Sequence, residues 1–287
     1  MPEQRSAWRG IFPALCTPFT PDDRVDLAAQ RRVVRFALDC GAHGLVAFGM
    51  AGEAPKLRPD ERKALTDEIL DEVDGRVPVF VGVGAESLAG ACDLARYAER
   101  AGAACAVIPA PQTGAANEDA LVDYFARIAG AVSIPVMIQD APAYLGVALG
   151  PALVARAAAQ SENIRLVKLE AGPAEMGGWL QTLGPEFSVW GGDAGVYLLD
   201  CTRSGAAGII PGADLADLLV EVYEADAGGD AARADELFRR VLPMLVFQIQ
   251  HSIDHYNACA KHVLVRRGVL EHAALRESSR APTSPTC

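Results

Sequence analysis

A lysine and a glutamate stand two residues apart in the run N-I-R-L-V-K-L-E-A-G, Asn163 to Gly172. The run reads as a short apolar strand, and strand side chains alternate faces with a period of two. Lys168 and Glu170 therefore share one face, with Val167 and Leu169 on the other. Burying a lysine in an apolar strand is costly unless the amine is paired or used. The same desolvation turns an amine into a nucleophile for carbonyl substrates. A carboxylate on the same face adds a proton acceptor. The plain alternative is an edge-strand lysine reaching solvent beside an unrelated glutamate.

The elements that must position this pair recur along the chain. Apolar runs end in Gly, Pro or an acid, and helical patterns follow most of them. The runs are Gly10 to Phe19, Gly44 to Glu53, Val77 to Gly84, Ala104 to Pro111, Ile134 to Pro142, Asn163 to Gly172, Phe187 to Asp193 and Ala206 to Gly212. Helical patterns cover Leu27 to Cys40, a segment opened by Arg58-Pro59-Asp60-Glu61, Leu88 to Arg100, and a stretch through Tyr124 and Ile128. Strands apolar on both faces that alternate with helices mark a buried parallel sheet. Eight such units predict a (β/α)₈ TIM barrel over residues 1–212. A doubly wound open sheet is the alternative, but it usually has a Gly-rich turn after its first strand, where this chain has C-T-P-F. Amphipathic segments at Leu215 to Ala225, Ala231 to Gln250 and Ile253 to Arg267 predict a C-terminal helical extension, residues 213–276, packed outside the barrel. Residues 277–287 read as a disordered tail.

Composition narrows the function class. Of 287 residues, 51% are apolar and 22% charged, which describes a globular chain with a large core. A formal net charge of -11 argues against nucleic acid and anionic membranes as partners. No signal-peptide or membrane-length apolar run occurs, so a soluble cytoplasmic protein is expected. The 7 cysteines are scattered without C-x-x-C spacing and predict neither disulfides nor zinc. His251 and His255 have i, i+4 spacing but no H-E-x-x-H context, which favours a packing or subunit-contact role over a metal site.

Barrel catalysis draws on the C-terminal ends of the strands. Those ends offer Thr17, the Gly49 to Glu53 loop, Pro109 to Gln112, Gln139, Asp140, Lys168, Glu170, Gly191 to Asp193 and Ile210 to Gly212. The set contains no histidine and only four carboxylates, a poor outfit for metal catalysis. In order along the chain, G-M-A-G-E, V-K-L-E, G-G-D and G-I-I-P-G resemble the dihydrodipicolinate synthase / N-acetylneuraminate lyase superfamily, from Gly10 to about Leu270. The resemblance implies a homotetrameric barrel, no metal and no separate cofactor. It also implies a Schiff base between a small 2-oxo acid and the strand-six lysine, which only Lys168 matches.

The chain also departs from that pattern. The family's common G-T-T-G-E has Met50 and Ala51 in place of its hydroxyls. The synthases' strand-four tyrosine pair corresponds to Ala110-Pro111, their strand-five tyrosine to Gln139, and their following arginine to Tyr144. A chain without these groups lacks the synthase's proton relay and dicarboxylate anchor. The I-Q-D-A-P run and the K-x-E pair instead resemble the 2-keto-3-deoxy-L-arabinonate dehydratase branch. Dehydration of a 2-keto-3-deoxy sugar acid is therefore expected. Lys168 would be the nucleophile, Glu170 the base at C3, and Gln139 a hydrogen-bonding group that orients the carbinolamine or a substrate hydroxyl. The amides of Met50 and Ala51 would hold the substrate carboxylate, Asp193 and Tyr144 would contact its distal hydroxyls, and Gly49, Gly192 and Ile210 would also bind the substrate. Retro-aldol cleavage of such an acid to pyruvate and an aldehyde is the rival, and a non-catalytic binder is the reading from another class.

Overall fold

The computed structural model describes residues 8–111 and 117–276. The expected tail, the start of the N-terminal segment and Gln112 lie outside these residues. Eight strands form one parallel sheet: β1 (Gly10–Ile11), β2 (Leu45–Ala47), β3 (Val79–Gly82), β4 (Cys105–Pro109), β5 (Val136–Asp140), β6 (Ile164–Leu169), β7 (Ser188–Gly191) and β8 (Gly208–Ile209). Consecutive strands from β2 to β8 are neighbours, and β8 pairs with β1. Just past β1, Ala14 bridges Val46 of β2 on one side and Gly212, beyond β8, on the other. The curled sheet with alternating helices is consistent with the expected TIM barrel.

The strands are shorter than the apolar runs that announced them. The first run contributes only two residues to its strand, because Pro13 and Pro18 cannot donate to a ladder. Carbonyls still accept: Val46 N–H donates to Pro13 O at 3.0 Å. Between strands lie α1 (Leu27–Asp39), α2 (Pro59–Val73), α3 (Leu88–Ala101), α4 (Glu118–Ala129), α5 (Pro142–Leu145), α6 (Gly150–Gln160), α7 (Pro173–Leu183) and α8 (Leu198–Arg203). At the predicted start of α2, Glu61 accepts from the Arg58 amide at 2.9 Å, satisfying one of the orphan donors of a helix terminus.

Two separate apolar clusters result. One lies between the sheet and its helices; the other fills the space inside the curled sheet. Inside, Phe12 meets Phe80 at 4.9 Å and Trp190 at 4.7 Å between ring centroids, so side chains from β3, β7 and the segment after β1 converge. These rings fill the interior of the curled sheet, and the strand C-terminal ends form its mouth.

The C-terminal helices are α9 (Ala216–Ala227), α10 (Ala231–Ile249) and α11 (Ile253–Arg266). Of the three, α11 packs across the strand-end turns of the sheet. Its buried residues, including Tyr256, Asn257 and Lys261, lie against the 3-10 turns Met50–Gly52 and Ala213–Leu215 at the mouth. The reason is that α11 has polar partners there: Asn257 Nδ2 donates to Met50 O at 3.3 Å, and Lys261 Nζ meets Glu53 Oε1 at 2.6 Å. No described helix is long and apolar enough to cross a membrane.

Candidate active site

Strand register fixes the centre of the site. Lys168 on β6 is paired with Gln139 of β5 and Trp190 of β7. Its ammonium lies 2.5 Å from Glu170 Oε1, and the two side chains are only 5% and 2% exposed. The buried amine that the sequence presents on an apolar strand thus has a counter-ion, as the period-two spacing requires. Glu170 follows β6 directly, and its N–H donates to Asp140 O at 3.0 Å, which continues the ladder.

Both oxygens of Glu170 are held. Oε1 also accepts from Gln139 Nε2 at 3.1 Å, and Oε2 accepts from the backbone N–H of Asp193. Gly192 makes this possible: a Cβ there would stand 2.0 Å from Oε2. Sequence reading assigned Gly192 to the substrate and Gln139 to the carbinolamine or a substrate hydroxyl. The observed contact of each is with Glu170, because the β5–β6 register sets Gln139 beside Lys168 and the Gly192 backbone passes under the carboxylate.

Lys168 and Glu170 open into a cavity of about 470 Å³, and Met50, Ala51, Tyr144, Asp193 and Ile210 also line it. Gly49 and Gln139 line a second cavity of about 510 Å³, which shares Met50 with the first. Gly192 lines neither. Tyr144 Oη donates to Asp193 Oδ1 at 3.1 Å. Burial, followed by the charge of Glu170, pushes the Asp193 carboxyl up to about 6. Burial likewise raises the Tyr144 phenol above its ordinary range. Asp193 and Ala194 both have left-handed backbone, φ 46° and 55°, a conformation non-glycine residues rarely adopt outside constrained sites.

The strand-two loop forms a 3-10 turn, Met50–Gly52, whose first amides have no acceptor within the turn. Several contacts hold this loop. Thr17 Oγ1 donates to Gly52 O at 2.7 Å, and Glu53, itself at φ 51°, accepts from Lys261 at 2.6 Å and from Lys56 at 3.1 Å. Glu53 is therefore a buried ion-pair partner. Asp140 is likewise structural: its Oδ1 accepts from the Leu149 amide at 3.1 Å. Of the four strand-end carboxylates, only Glu170 and Asp193 face the cavity. Among the described residues, no group of three His, Cys, Asp or Glu side chains is arranged to hold a metal ion.

Sequence reasoning missed the contribution of the C-terminal helices. Tyr256 and His251 line the Lys168 cavity. Helical periodicity groups Tyr256 with Ala260 on one face, but nothing in the sequence says that this face meets the barrel mouth.

Most of the chain matches known proteins in both sequence and shape. Residues 7–283 match the Dihydrodipicolinate synthetase family. The chain is 33% identical over 238 residues to a 4-hydroxy-tetrahydrodipicolinate synthase of Methanopyrus kandleri, covering 82% of this chain and 79% of that protein. It is 34% identical over 243 residues to an L-2-keto-3-deoxyarabonate dehydratase of Azospirillum brasilense, covering 83% and 78%. A solved prophage protein of the dihydrodipicolinic acid synthase family from E. coli K12, in complex with pyruvate, superposes with a TM-score of 0.89 at 28% identity, covering 97% of this chain and 94% of that one. With a lysine-carboxylate pair at the strand C-terminal ends and a family match over residues 7–283, the chain belongs to the dihydrodipicolinate synthetase family and is an enzyme of the lyase class.

Proposed function

We propose that this enzyme dehydrates a 2-keto-3-deoxy sugar acid through an imine on Lys168. Within the ion pair, Glu170 accepts a proton from the ammonium, and the neutral amine attacks the C2 carbonyl. Loss of water from the carbinolamine leaves a protonated imine, which draws electrons from C3. Glu170, again a carboxylate, removes a C3 proton. The C4–O bond then breaks, and the departing hydroxide takes the proton that Glu170 has just removed and leaves as water. Transfer of a proton from C5 to C3 turns the C3=C4 alkene into a C4=C5 enol, which tautomerises to the aldehyde, and hydrolysis of the imine releases this 2-oxo semialdehyde and the amine. The amides of Met50 and Ala51 hold the substrate carboxylate, and Asp193 and Tyr144 face the distal hydroxyls.

The observation that carries this reading is the double anchoring of Glu170 beside the amine, by Gln139 Nε2 and the Asp193 amide. A positioned carboxylate serves a C3 proton abstraction, and the dehydratase of Azospirillum brasilense is a relative by sequence. The synthase name of the Methanopyrus kandleri relative fits less well. Here Ala51, Ala110, Gln139 and Tyr144 stand where the family resemblance expects the synthase's hydroxyls, tyrosines and arginine. Retro-aldol cleavage is favoured by one observation: Asp193 is a second cavity carboxylate, available to a C4 hydroxyl. The homotetramer implied by family resemblance, a closed (β/α)₈ barrel and a reaction without metal or separate cofactor belong to the same proposal.

Incubation with a panel of 2-keto-3-deoxy acids tests the reading. A 2-oxo semialdehyde formed without pyruvate is the expected product. Pyruvate plus an aldehyde would establish cleavage instead, and condensation of pyruvate with aspartate semialdehyde would establish synthesis.

A further inference from the structure

Tyr256 has no part in the chemistry derived so far, although it stands in the same cavity as Lys168 and Glu170. The residue is 8% exposed and belongs, with Ala14, Ala51 and Ile210, to the interior cluster. Among the described residues, nothing hydrogen-bonds its hydroxyl. A Cβ on Gly212 would stand 2.2 Å from that oxygen, so the phenol lies over the chain just beyond β8. The other hydroxyls in the lining are occupied. Tyr144 donates to Asp193 at 3.1 Å, and Ser252 caps α11 by accepting from the His255 amide at 3.1 Å. Buried hydroxyls without a partner are rare, and one that faces a cavity is satisfied when a ligand fills it. Burial, together with the nearby charges of Asp214 and Glu170, raises the phenol well above its ordinary value. The group therefore stays an O–H donor throughout the neutral range.

We propose that Tyr256 is a substrate-contacting specificity residue, its O–H donating to a hydroxyl oxygen beyond C3 of the bound 2-oxo acid. This rests on the imine reading above. It adds that α11 makes the pocket selective for hydroxylated acids over pyruvate, because the strand-two loop offers the carboxylate only backbone amides. A site that hydrogen-bonds a substrate hydroxyl discriminates against acids lacking one.

The test compares Tyr256→Phe with the unmutated enzyme in two assays: turnover of a 2-keto-3-deoxy acid, and borohydride trapping of pyruvate. The variant removes one oxygen atom and keeps the ring packing. Turnover, as kcat/KM, is expected to fall by roughly 10-fold or more, the usual effect of losing one hydrogen bond, with pyruvate trapping unchanged. Equal losses in both assays would overturn the assignment, since the tyrosine would then serve the imine or the fold; so would no loss in either. If the unmutated enzyme trapped no pyruvate, the imine reading itself would fail, and this inference with it.

Discussion

Gln139 Nε2 donates to Glu170 Oε1 at 3.1 Å, onto the same carboxylate oxygen that Lys168 Nζ approaches to 2.5 Å. A glutamine at the end of β5 thus fixes the carboxylate that follows β6, and the amine and the carboxylate share one hydrogen-bonded unit. Glu170→Gln keeps the size and reach of the side chain and removes its basicity. Imine formation is expected to survive, while turnover falls by roughly 10²- to 10⁴-fold, the usual contribution of a positioned base. Exchange of the C3 protons of bound pyruvate with deuterated solvent, followed by NMR, should fall in parallel. Unchanged exchange and turnover would reduce Glu170 to a counter-ion.

Gly192→Ala probes the same carboxylate from below. The added Cβ would stand 2.0 Å from Glu170 Oε2 and must displace it. A loss of about 1–3 kcal/mol in stability is expected from overpacking, and turnover should fall nearly as far as in Glu170→Gln. Full activity with an undisturbed melting temperature would show that the carboxylate needs no fixed position.

Asp193 gives a pH signature. Its carboxyl is held at about 6 against an ordinary 3.8, through burial first and the charge of Glu170 second. Between these values the folded chain keeps a proton that the unfolded chain has lost. This group's contribution to stability therefore falls as pH rises through that window. Asp193→Asn keeps the Tyr144 contact and removes the titration. Melting temperatures should show the variant gaining on the unmutated protein between about pH 4 and about pH 7. A constant difference across that range would contradict the shift.

The pair formed by Lys261 and Glu53 ties α11 to the strand-two loop with side chains 1% and 0% exposed. Lys261→Met leaves Glu53 with only Lys56 and the Arg276 amide as donors. Chemical denaturation should show a loss of about 3 kcal/mol, the low end for breaking a buried pair. Glu53→Gln combined with Lys261→Met should lose less than the two single effects added together. Strict additivity would mean that the two groups do not act as a pair.

The features legible in the sequence were those set by local periodicity. Lys168 and Glu170 were placed on one face by strand alternation, and the structure joins them in an ion pair. Asp193 came from a strand end and Tyr144 from the family resemblance, and both line the cavity. Contacts made at right angles to the chain were not legible. The alignment of Gln139 with Lys168 depends on the β5–β6 register, and the proximity of Gly192 to Glu170 depends on backbone passing under a side chain. Strand lengths were overestimated where prolines interrupt donors, as at Pro13 and Pro18. Tyr256 was missed because α11 reads as any amphipathic helix until its position over the barrel mouth is known. The same position explains why Glu53, one of four strand-end acids, serves an ion pair with Lys261 and lies outside the Lys168 cavity.

The central claim is that Lys168 is the imine-forming residue. Pyruvate and borohydride added to the unmutated enzyme, followed by digestion and peptide mass spectrometry, should place one reduced adduct on Lys168. Lys168→Ala should give none, since Lys56 is engaged by Glu53 at 3.1 Å and Asp254 at 2.7 Å, and Lys261 by Glu53. An adduct on another lysine, or one that persists in Lys168→Ala, would contradict the account.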